Sequence, residues 1–130
     1  MGSSGLRLLI AHENPSLRRL YQKFFRDEKY HVEAVESSSE ILTRLGKGRF
    51  HLLVTDLELA PTNTLEILPL VRERMPGLPI VVVAGYYLNV FGDIREQGKD
   101  VHVFFTKPLT LLNLKNAVRK MLDQTPNGNE

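Results

Sequence analysis

The 130-residue sequence contains no cysteine. This absence excludes a disulfide scaffold, a thiol nucleophile and a cysteine-ligated metal site. Long hydrophobic runs are also missing, since the longest, residues 78–84, is far shorter than the roughly 20 apolar residues of a membrane-spanning helix. The N-terminus has no basic region followed by an apolar stretch, so no secretory signal is predicted and a cytoplasmic location is expected.

The sequence also lacks a large excess of charge of either sign. It has 17 basic and 15 acidic residues, a net charge of +2. The nearest basic cluster, Arg18, Arg19, Lys23 and Arg26, has the spacing of a solvated helix face, so direct nucleic-acid binding is not expected. The content of 42% hydrophobic and 25% charged residues is that of an ordinary globular domain and excludes a disordered chain.

The apolar residues that are present alternate between two periodicities. Short apolar runs predict strands at 6–11, 32–35, 50–55, 78–84 and 101–106. Helical spacing follows each run and predicts helices within 15–25, 39–45, 62–75, 86–97 and 111–122. Five strands alternating with five helices indicate an α/β fold with a parallel sheet covered on both faces.

Polar residues flank these predicted elements and predict where helices begin. Asn14 followed by Pro15 is a favourable helix start, and Thr110 is positioned to cap the last helix. Ser38 or Ser39 can cap the second helix. The domain is predicted to cover residues 6–123, with 1–5 an expression scar or loose end and 124–130 a polar tail or the start of a linker.

Three predicted strands end in residues that suit phosphate chemistry. His12 and Glu13 follow the first, Asp56 ends the third, and Lys107 with Pro108 follows the fifth. Ligands of open α/β sheets bind outside the carboxyl ends of the strands. Carboxylates suit a hard cation such as Mg²⁺, and a lysine offers a compact positive charge to phosphate oxygens.

Four sequence blocks carry a resemblance to a known family. Residues 8–15, 52–56, 78–84 and 104–109 resemble the receiver domain of bacterial two-component response regulators, in the same order and at similar spacing. The resemblance covers residues 6–123. It implies a flavodoxin-like, doubly wound five-stranded sheet of order 2-1-3-4-5 with five helices.

The resemblance also implies roles for individual residues. Asp56 would be the phospho-acceptor for a histidine kinase or phosphotransfer partner, and Lys107, followed by the structural Pro108, would contact the phosphate. Mg²⁺ would be held by Glu13, Asp56 and the backbone carbonyl of Glu58. This is phospho-acceptor chemistry alone, without an enzymatic activity of its own. An output domain or effector protein, rather than nucleic acid or membrane, would receive the signal.

Several residues depart from the family pattern. His12 stands where receivers usually have the first of two acids, and a neutral hydrogen-bonding role is expected for it. Ala84 stands at the switch position that usually has a hydroxyl, and the aromatic switch position is Phe104. Thr64 replaces a glycine and is a candidate helix cap. These departures leave open an alternative, a pseudo-receiver that acts as a protein–protein interaction module without phosphorylation.

Two enzyme classes that share such architectures fit less well. An aspartate-nucleophile phosphatase has a second acid two residues after the nucleophile, where Glu58 stands, but it would need a threonine where Ala60 stands and a cap insertion that this sequence lacks. A flavin carrier would need a Ser/Thr/Gly-rich loop where residues 12–15 read His-Glu-Asn-Pro.

Overall fold

The computed structural model describes residues 5–84, 101–106 and 110–123, with the backbone alone at residue 84 and at 101–106. The strands are β1 (Arg7–Ala11), β2 (His31–Val35), β3 (Leu52–Asp56), β4 (Ile80–Ala84) and β5 (Val101–Thr106). The helices are α1 (Pro15–Asp27), α2 (Ser38–Lys47), α3 (Thr64–Arg74) and α4 (Leu111–Asp123). The predicted helix at 86–97 and the two chain ends, 1–4 and 124–130, lie outside the described residues.

The five strands form one parallel sheet in the order β2-β1-β3-β4-β5, which confirms the predicted fold class and strand order. β3 is the central strand, with Thr55 beside Ala11 of β1 and Asp56 beside Val83 of β4. Because all strands run in the same direction, their carboxyl ends meet at one edge of the sheet. The register therefore places Asp56 in the middle of that edge.

Helices cover both faces of the sheet, as the continuous apolar strands predict. Side chains alternate along β1, so that Leu9 packs with the buried residues of α2 and α3, including Ile41. Leu8 packs on the opposite face with α1 and α4 through Phe25 and Leu114. Within the described segments, no helix is long and apolar enough to cross a bilayer.

The helix starts follow the predicted capping residues in two of four cases, at Asn14 and Thr110. Asn14 accepts hydrogen bonds from two amides of the first turn of α1, and the Thr110 hydroxyl accepts one from the Asn113 amide at 3.1 Å. Both agree with the prediction.

The predicted cap of α2 is wrong by one position. Ser37, rather than Ser38 or Ser39, caps this helix by accepting from the Glu40 amide at 3.1 Å. The Glu40 carboxylate in turn accepts from the Glu36 amide at 2.9 Å, an arrangement close to a capping box. The three-residue spacing to Glu40 selects Ser37, and it leaves Ser38 for a different contact.

The end of α1 is closed by a residue with a left-handed backbone. Lys29 has a φ of 77° and donates its amide to the Arg26 carbonyl at 2.9 Å. The Tyr30 amide reaches back to the Phe25 carbonyl at 3.3 Å, and the two rings pack with centroids 6.2 Å apart. This is the Schellman arrangement with its hydrophobic contact, in which glycine usually occupies the left-handed position.

Replacing Lys29 with glycine is expected to raise the free energy of unfolding by about 0.5–1 kcal/mol, because glycine adopts this backbone conformation without a Cβ clash. Urea denaturation followed by circular dichroism measures the change. The matched control is Lys23→Gly, which places glycine at an exposed position inside α1 and should lower stability by about 1 kcal/mol. A loss of stability in both variants would contradict the assignment of Lys29 as the helix-terminating residue.

Candidate functional site

Asp56 is a buried carboxylate at the end of the central strand, with 5% of its surface exposed. Its Oδ1 accepts a hydrogen bond from the Glu58 amide at 3.2 Å. The strand position that the sequence singles out therefore carries a buried acid whose carboxylate is held by the loop after β3.

His12 lies beside this carboxylate. Its Nε2 is 3.3 Å from Asp56 Oδ2, and its Nδ1 accepts a hydrogen bond from the Asn14 amide at 3.0 Å. A backbone amide can only donate, so Nδ1 carries no proton and the ring proton of the neutral imidazole is on Nε2. The nitrogen that faces Asp56 is therefore the proton donor.

The backbone and ring of His12 are both fixed. Its amide donates to the Val35 carbonyl at 3.1 Å, and its carbonyl accepts from Arg18 Nη1 at 2.9 Å. The ring, with the residue only 8% exposed, packs edge-on against Tyr21 at 5.8 Å between centroids. The Nε2–Oδ2 contact is consequently set by β1 and the start of α1.

The main-chain carbonyl of Asp56 accepts hydrogen bonds from two buried threonine hydroxyls. The Thr64 hydroxyl donates to the Asp56 carbonyl at 2.6 Å, and the Thr55 hydroxyl donates to the same oxygen at 3.0 Å. Thr64 is therefore not the helix cap that the sequence suggests, because Asn63 caps α3 by accepting from the Glu66 amide. Sequence reasoning missed these two hydrogen bonds, because a threonine at a position that usually has glycine indicated only a helix cap.

Ser38 ties the loop after β3 to the start of α2. The Ser38 amide and hydroxyl both donate to the Ala60 carbonyl, at 2.9 and 3.1 Å, and the hydroxyl accepts from the Thr62 amide at 3.2 Å. This loop supplies the Glu58 amide that faces Asp56. The serine run 37–39 signalled a helix cap, but nothing in it indicated a contact with a loop more than 20 residues away.

The predicted ligands of Mg²⁺ differ in exposure. Glu13 is an exposed residue and Asp56 is buried, and Glu58, predicted to bind through its backbone carbonyl, contacts Asp56 through its backbone amide. Within the described part of the chain, no group of three His, Asp or Glu side chains is placed to hold a metal. No buried side-chain nitrogen or oxygen there lacks a hydrogen-bond partner. With an N–H donor already facing Asp56, this arrangement does not fit a tight Mg²⁺ site.

The remaining predicted site residues fall at the margin of the described chain. Lys107 and Pro108 lie outside it, and the side chains of Ala84 and Phe104 are not described. The backbone register places Ala84 beside Thr106, the last residue of β5, and Phe104 beside Val82. The roles assigned to these four residues stay predictions.

Thr64→Val is expected to lower the free energy of unfolding by about 1–2 kcal/mol, because it removes a buried hydroxyl that donates to the Asp56 carbonyl while keeping the side-chain volume. Chemical denaturation measures the change. Thr43→Val is the control, since this exposed hydroxyl donates to the Ser39 carbonyl on the surface of α2 and its loss should cost less than about 0.5 kcal/mol. An equal loss of unfolding free energy in the two variants would contradict a stabilising role for the hydrogen bond from Thr64 to the Asp56 carbonyl.

Comparison with known proteins gives a consistent assignment. A family model described as the response regulator receiver domain matches residues 8–119. The response regulator receiver protein CpdR of Brucella abortus is 28% identical over 116 residues, which cover 89% of this chain and 96% of that protein. The transcriptional regulatory protein GlrR of Escherichia coli is 23% identical over 96% of this chain, which spans only 28% of that longer protein.

A solved structure agrees in fold. The response regulator protein TrrA of Thermotoga maritima was determined in complex with Mg²⁺–BeF. It is 22% identical to this chain, with a TM-score of 0.78, and the match covers 89% of this chain and 98% of the TrrA chain. Receiver domains generally bind Mg²⁺ at an acidic site and pair with histidine kinases and output domains. Because the family model matches most of the sequence and the sheet has the predicted order, this chain belongs to the response regulator receiver domain family of two-component signalling.

Proposed function

We propose that this chain is a cytoplasmic receiver domain in which Asp56 accepts a phosphoryl group from the phosphohistidine of a histidine kinase or phosphotransfer protein. The observation that supports it best is the position of Asp56, a carboxylate at the carboxyl end of the central strand whose Oδ1 is oriented by the Glu58 amide. Membership of the receiver family supports the class of partner. The domain acts as a phospho-acceptor and not as an enzyme.

The transfer is a single displacement at phosphorus. A carboxylate oxygen of Asp56 forms the new O–P bond while the N–P bond of the phosphohistidine breaks. The imidazole of the partner leaves with the bonding electron pair and takes up a proton from solvent. Since little covalent chemistry is required of the protein, positioning and charge stabilisation contribute most of the rate.

The additional negative charge on Asp56 must then be balanced. Lys107, which follows the last residue of β5 in the sequence, is the proposed phosphate-contacting group, with Pro108 as its structural neighbour. The signal passes to a surface that includes Phe104, and Ala84 lacks the hydroxyl that would couple the phosphate to that surface. An output domain or an effector protein reads this surface, without direct contact of the domain with nucleic acid or membrane.

Incubation with phosphoramidate, with and without Mg²⁺, should add one phosphoryl group to the intact protein, as measured by mass spectrometry. Asp56→Asn should remove the added mass, because the amide cannot act as the nucleophile. Asp27→Asn is the matched control, since it makes the same change at an exposed position at the end of α1, and it should label like the unmodified protein. Equal labelling of the Asp56→Asn variant would contradict the role of Asp56.

A second candidate function is favoured by the contact between His12 and Asp56. The N–H that faces Oδ2 supplies the carboxylate with a donor in the absence of phosphate, as a phosphorylation-independent interaction module would require. In that case Asp56→Asn would leave partner binding and cellular output unchanged. A clear loss of output in the variant, with the protein folded, would exclude this alternative.

A further inference from the structure

Both carboxylate oxygens of Asp56 face N–H donors of the chain itself. The Glu58 amide donates to Oδ1 at 3.2 Å, and His12 Nε2 lies 3.3 Å from Oδ2. A buried carboxylate is costly unless hydrogen-bond donors or a cation compensate its charge. Among the described residues, a backbone amide and an imidazole contribute to this compensation.

His12 has no nitrogen lone pair available to a metal. Nδ1 is committed to the Asn14 amide at 3.0 Å, and Nε2 carries the proton that faces Asp56. A histidine ligates metals through an unprotonated ring nitrogen. In this arrangement the Nε2–H group lies beside Asp56, and the residue is not a metal ligand.

The same contact also opposes a cation on Oδ2. Mg²⁺ binds carboxylate oxygens at about 2.0–2.1 Å and tolerates little departure from octahedral geometry. The proton on Nε2, whose nitrogen lies 3.3 Å from Oδ2, would repel a cation bound to that oxygen. Three contacts hold His12 in this position. Its amide donates to the Val35 carbonyl, its carbonyl accepts from Arg18, and its ring packs against Tyr21.

We propose that His12 takes the place of the divalent cation as the resident partner of Asp56. The imidazole N–H compensates the buried carboxylate in the resting domain, so that Mg²⁺ binds weakly or not at all until this contact is broken. The inference rests on the proposed function, in which Asp56 is the phospho-acceptor. Its test, however, follows metal binding without any phosphoryl donor, so that failure of the one is distinguishable from failure of the other.

The test is a Mg²⁺ titration followed by backbone amide shifts in ¹⁵N–¹H spectra of the whole chain. His12→Asp replaces the N–H donor with a second carboxylate, and Mg²⁺ affinity should rise at least about tenfold, with the shifts centred on residues 12–14 and 56–58. The matched control is His31→Asp, which adds the same charge at an exposed position at the start of β2. It should leave Mg²⁺ affinity within about twofold of the unmodified chain.

His12→Ser covers the case in which two neighbouring carboxylates prevent folding without metal. It removes the ring and adds no charge, and Mg²⁺ should then bind more tightly than to the unmodified chain but less tightly than to a folded His12→Asp variant. Addition of Mg²⁺ should also raise the thermal midpoint of the His12 variants and not that of the unmodified chain. Mg²⁺ binding near Asp56 in the unmodified chain as tight as in both His12 variants would overturn the proposal.

Discussion

The groups around Asp56 at the carboxyl edge of the sheet are organised by the contact between His12 Nε2 and Asp56 Oδ2. A carboxylate that is 5% exposed must find compensating groups, and the described part of the fold places an N–H group near each oxygen. The two donors differ in origin. One belongs to the loop that follows Asp56, whereas the other comes from the neighbouring strand β1, so the site exists only where the sheet is assembled in the observed register.

Each donor depends in turn on a helix start. Asn14 caps α1 with its side chain and fixes the His12 ring with its backbone amide. Ser38, at the start of α2, holds the loop that presents the Glu58 amide. Structural features that would ordinarily serve helix stability therefore also orient the groups around Asp56. The residues at these two helix starts are thereby connected to the carboxylate, Asn14 through the His12 ring and Ser38 through the loop that includes Glu58.

The fold class follows from the sequence because continuous apolar strands that alternate with amphipathic helices predict a parallel sheet covered on both faces. Periodicity located all five strands, while the strand order came from the resemblance to receiver domains. The site was predictable where it depends on position along a strand, as for Asp56. It was not predictable where side chains meet across the sheet: the pairing of His12 with Asp56, and the Thr64 hydroxyl on the Asp56 carbonyl, depend on distances that a linear pattern does not contain.

The central claim is that the ring of His12 carries its proton on Nε2, the nitrogen that lies 3.3 Å from Asp56 Oδ2. Long-range ¹⁵N–¹H correlation spectra of the histidine rings distinguish the protonated from the unprotonated nitrogen directly. At neutral pH we expect His12 to show a protonated Nε2 and an unprotonated Nδ1, with the Nε2 signal shifting in Asp56→Asn. A proton on Nδ1, or two nitrogens averaged by rapid exchange, would contradict this account of the site.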